Sequence, residues 1–175
     1  PCEVTTGTRL RPTDLGKPRM RGWLHAYAFG VAVVAGIVLC ALAATRPGPA
    51  AVVSCAIYSV TVCALFGTSA LYHRRVWSRR MYPIMRRLDH SMIFVFIAGT
   101  YTPFSVLLLP PDTATTILAI VWGGALAGVA LKLVWPHAPR WLSAPLYIAL
   151  GWVAIAVLPG IKIGGGMAAL ALLVA

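Results

Sequence analysis

Five apolar runs, each near the length that crosses a bilayer, occupy most of this 175-residue chain: 23–44, 50–71, 89–109, 113–134 and 143–158. A spanning helix needs about 20 such residues, because in hydrocarbon every backbone N–H and C=O must be bonded within its own segment or a closed barrel. The first run is about twice as long as a signal-peptide core, so it reads as a retained anchor. The expected fold is all-α, a polytopic transmembrane helix bundle.

The segments between the runs agree. Residues 1–22 form a basic, Pro-punctuated tail with Arg9, Arg11, Lys17, Arg19 and Arg21, expected to lie on a membrane surface, while 23–175 form the transmembrane domain. The turn Arg46-Pro47-Gly48-Pro49 separates the first two spans, and Pro110-Pro111 the third and fourth. Between the second and third lies a basic loop with Arg74, Arg75, Arg79, Arg80, Arg86 and Arg87. From Gly164 the chain is apolar to Ala175, about half a span, so the expectation is five spans plus part of a sixth, cut at the C-terminus.

Composition decides the environment: 59% of residues are hydrophobic and 11% charged. On a soluble domain a net charge of +11 would point to nucleic acid. Here the charges flank apolar runs, which points to a lipid bilayer with its anionic headgroups as the partner, and to no nucleic acid. Thirteen of the fifteen Lys and Arg fall on one side of the implied topology, so the N-terminus is expected to be cytoplasmic in the cell membrane. The chain has no Gly-rich phosphate cradle, and Cys2, Cys40, Cys55 and Cys63 have no C-x-x-C spacing, so these thiols read as packing groups. Gly124 and Gly128 form a G-x-x-x-G expected to pack inside the bundle, and Pro103 is expected to kink the third span.

His25, His73, Asp89 and His90 all map to the cytoplasmic ends of spans. Ser69 and His73, four apart, share a face at the end of span two, and Asp89 opens an antiparallel span three at the same level. Two readings stay open from spacing alone. The trio can hold a metal and its water, with the imidazole as ligand and the carboxylate as outer partner or general base, or it can face headgroups. His25, alone at a helix end, reads as interfacial.

The segments Ser69-Ala70-Leu71-Tyr72-His73, Arg87-Leu88-Asp89-His90 and Ala98-Gly99-Thr100-Tyr101-Thr102-Pro103-Phe104, in this order, resemble the hemolysin III branch of the progestin and adipoQ receptor (PAQR) superfamily. The resemblance implies a seven-helix bundle with a zinc ion near the inner membrane face. It makes His73 a zinc ligand, Asp89 the carboxylate beside the zinc's water, and Ser69 their polar neighbour. Two further His ligands, in an H-x3-H motif on helix seven, are expected beyond residue 175. The function it implies is zinc-dependent hydrolysis of lipid amide or ester bonds. Membrane lysis or pore formation, and a receptor or lipid-homeostasis role with structural zinc, are the alternatives.

Overall fold

A computed structural model of the chain describes residues 19–135, 145 and 147–153. The basic tail before Arg19, the ends of the fifth run, the partial sixth span, His137 and Arg140 lie outside the described residues. Four long helices are present: α1 (Arg19–Ala43), α2 (Ala50–Arg74), α3 (Met81–Leu108) and α4 (Pro111–Val134). Residues 147–153 are also helical, and the described residues contain no strand. All four long helices have the length and composition to cross a membrane.

The bundle is a meander in which each helix packs on the next, α1 on α2, α2 on α3 and α3 on α4. Turn chemistry sets the reversals. Gly48, with φ of 82°, supplies the left-handed residue of the α1–α2 turn, and Pro111 starts α4 where its missing N–H costs nothing. Apolar side chains such as Val31, Val34, Ile37 and Leu42 on α1 are largely exposed. In water that would be untenable; facing lipid tails it is expected.

Because lipid is as apolar as Leu, helices in a bilayer associate through close packing and polar contacts rather than through hydrophobic exclusion. Small residues therefore mark the contacts. A Cβ on Gly36 would meet Ser59 Cβ at 2.8 Å, one on Gly99 would fall on Thr61, and one on Gly128 would enter the Phe94 ring at 2.5 Å. The tightest core joins α3, α4 and 147–153 through Phe94, Ala98, Tyr101, Val121, Ala125 and Leu150. Gly124, facing Leu150, and Gly128, facing Phe94, make contacts inside the bundle as expected.

Two boundaries differ from the sequence expectation. The basic loop shrinks to residues 75–80, because α2 runs on through Arg74 and α3 begins at Met81. Arg86 and Arg87 therefore sit on α3, and Asp89 lies two turns into the helix instead of opening it. Thr100 and Thr102 bond the carbonyls of Phe96 and Ala98, each four residues back, so neither covers Gly99, the carbonyl that Pro103 frees.

The α1–α2 hairpin sets Arg46 and Arg80 at opposite ends of the bundle. Reporter fusions after these two residues should read opposite sides of the membrane; the same side for both would contradict the hairpin.

Candidate metal and hydrolytic site

The end of the bundle that carries loop 75–80 gathers the polar residues. It is held by contacts between the start of α1 and the end of α2. Gly22 permits the approach: a Cβ there would lie 2.7 Å from Arg74 Cγ and 3.2 Å from His73 Cβ. The Arg74 guanidinium covers the Trp23 ring at 4.1 Å from its centroid. One turn further along α1, His25 Nδ1 and the buried Ser69 hydroxyl share a hydrogen bond of 2.7 Å. The His25 and His73 rings lie edge to face, with centroids 6.3 Å apart. His73, half-buried, also packs against Tyr72 at 4.8 Å.

The structure thus assembles His25, Ser69 and His73 from two helices. This corrects the interfacial reading of His25, whose ring turns into the helix pair. The signal was available in the hairpin itself: counted outward from the Pro47-Gly48 turn, residue 25 of α1 comes level with residue 69 of α2. His90 belongs elsewhere. Its Nδ1–H donates to the Arg86 carbonyl at 2.7 Å, and the ring remains 45% exposed.

Asp89 approaches this cluster from α3. Its side chain is only 16% exposed, lies 3.9 Å from His90 Nδ1, and is within electrostatic reach of Tyr72 and Tyr147. Tyr72 ties the two helices at this level through a 3.1 Å hydrogen bond between its hydroxyl and that of Tyr82. Tyr147, from the 147–153 segment, donates to the His90 carbonyl of α3 at 3.2 Å. The carboxylate therefore lies at the same end of the bundle as His73, within electrostatic reach of Tyr72, the residue that precedes it.

As a metal centre the cluster is partial. The two imidazoles are ligand types that zinc takes, whereas a neutral serine hydroxyl is not. Among the described residues, however, no three His, Cys, Asp or Glu side chains converge to hold an ion. A zinc site built on His73 would need its remaining ligands from outside the described residues.

A family model described as "Haemolysin-III related" matches residues 13–175, nearly the whole chain. The chain belongs to the haemolysin III family. That family is part of the PAQR superfamily. Two curated relatives agree. The chain is 36% identical to Hemolysin-3 homolog of Bacillus subtilis (strain 168) over 104 residues, covering 59% of this chain and 48% of that protein. It is 32% identical to Hemolysin-3 of Bacillus cereus over 131 residues, covering 75% of this chain and 59% of that protein. The chain thus spans about half the length of the curated relatives it matches. No solved structure gives a significant match.

Within this haemolysin III chain, the A-G-T-Y-T-P-F segment acts through packing. Ala98 is fully buried, and Tyr101 donates to the carbonyls of Leu150 and Gly151, each at 2.9 Å. Thr102 accepts from Trp122 of α4 at 3.2 Å. These contacts fix α3 between its neighbours and so set the position of Asp89, about two and a half to three and a half turns earlier on the same helix.

Proposed function

We propose that the full-length protein is a zinc-dependent hydrolase of lipid amide or ester bonds, working at the cytoplasmic face of the cell membrane with its N-terminus inside. The observation that carries this reading is the junction of His25, Ser69 and His73 at one end of the bundle, with Asp89 on that same end. The Lys and Arg distribution supports the inward orientation, since thirteen of fifteen fall on this side of the topology the sequence implies.

In this reading His73 supplies one ligand and two His outside the chain supply the others. Zinc, when bound, lowers the pKa of its water toward neutrality and polarises the scissile carbonyl. The chain's own residues do the rest. His25 holds the Ser69 hydroxyl in a fixed direction, leaving it able to hydrogen-bond a polar group of the substrate. Asp89, little exposed, takes the proton from the attacking water as general base. The exposed apolar flanks of α1 and α2 let a lipid reach this end from within the bilayer.

The test is reconstitution of the full-length protein into vesicles that contain N-acyl and O-acyl lipids and an entrapped dye. Fatty-acid release that a zinc chelator stops is the expected result. Dye leakage without lipid turnover would overturn it in favour of the membrane-lytic alternative, which the relatives' name Hemolysin-3 carries.

A further inference from the structure

The α1–α2 hairpin has a regular ladder of contacts. Gly22 meets His73 and Arg74, His25 meets Ser69, the Phe29 ring meets Gly67 at 3.2 Å, and Gly36 meets Ser59. At the turn, Ala43 and Ala51 share one buried cluster. At every rung the two residue numbers total 94 to 96, as a hairpin of constant register requires. The rung between Gly36–Ser59 and Ala43–Ala51 is four residues on from Gly36 and four back from Ser59. It consists of Cys40 and Cys55.

Both are free thiols, Cys55 buried and Cys40 half-buried, and both belong to the cluster around Ala43 and Ala51. A disulfide needs Cβ atoms about 3.5–4.5 Å apart, closer than most helix pairs allow. One turn away the helices run close, with the Gly36 Cβ position 2.8 Å from Ser59 Cβ, and Cys40 is near enough to Cys55 to act on it electrostatically. Cys40, half-buried and about one turn from the end of α1, is the thiol a small reagent meets first, and Cys55, 5% exposed, is reached through it.

We propose that Cys40 and Cys55 form a redox-reactive pair, an oxidation site that closes to a disulfide across the end of the hairpin opposite His25. The co-reactant is a disulfide-bearing oxidant. Its S–S bond breaks to two thiols while the Cys40–Cys55 bond forms, so two protons and two electrons pass from the pair to the oxidant. Closure staples α1 to α2 in the register that sets His25 on Ser69. Cys63 is the internal control, because the same ladder places it opposite Ala32, which has no thiol.

The experiment uses diamide on the full-length protein in native membranes; its N=N bond accepts the two protons and two electrons. Denaturation, alkylation and peptide mass spectrometry follow. The expected result is loss of alkylation at Cys40 and Cys55 together, a linked peptide two hydrogens lighter than its parts, recovery on reduction, and unchanged Cys63. Cys55→Ser should leave Cys40 alkylated after diamide. Alkylation of Cys40 and Cys55 at the level of Cys63 after diamide would overturn the proposal, as would protection of Cys40 that persists in Cys55→Ser.

Discussion

Gly99→Val should destabilise the bundle by about 3 kcal/mol, at the upper end of what overpacking usually costs. At this position α3 runs against Thr61 of α2, and a Cβ would stand 2.7 Å from Thr61 Cγ2 and 2.8 Å from Thr61 Cβ. Since Thr61 Cβ is fixed to the backbone, no change of rotamer clears the clash. Thr61 is also buried and donates to the Tyr58 carbonyl, so turning it would cost that bond as well. The helices must separate. Gly30→Ala is the matched control: nothing lies within 4 Å of its Cβ position, so the change should be neutral or stabilise by up to about 1 kcal/mol, as expected for Gly→Ala in a helix. Melting of the two variants in detergent decides it; equal midpoints would contradict the α2–α3 approach.

The spans were legible because lipid imposes a length, and runs such as 50–71 meet it whatever their partners are. Their inner faces were not. A helix such as α4, apolar all round, gives no 3.6-residue pattern to tell Val121, fully buried, from Ile120, 53% exposed. The start of α3 was hidden for another reason. Met81 to Leu88 is rich in Arg and contains Pro83, and so resembles a loop, yet Arg is a good helix former and a Pro in the first turn loses no helical bond. At the site, Ser69 and His73 were legible from their four-residue spacing, whereas the role of His25 depends on contact across the hairpin. Spacing within one helix carries no information on that contact.

The second large effect concerns the site itself. Asp89→Ala in the full-length protein should lower zinc affinity or activity by roughly 10- to 100-fold while leaving some metal bound, the usual consequence of removing an outer partner. With its low exposure and within electrostatic reach of Tyr72, Asp89 is expected to act around the ion's ligands rather than as one of them. His73→Ala should have a greater effect. Three protein ligands plus water is the usual arrangement of catalytic zinc, and removing one imidazole leaves two, too few to retain the ion through purification. Helix packing should survive that change, since the Gly22–Arg74 approach and the Trp23–Arg74 stack are left in place. Zinc content by mass spectrometry, on purified full-length wild-type and His73→Ala proteins of equal helicity, is therefore the most direct measurement. About one zinc per wild-type chain and almost none in His73→Ala is the result expected. A wild-type protein free of zinc, or a His73→Ala protein that keeps its full complement, would contradict the metal reading and leave His25, Ser69 and His73 as a polar clasp between α1 and α2.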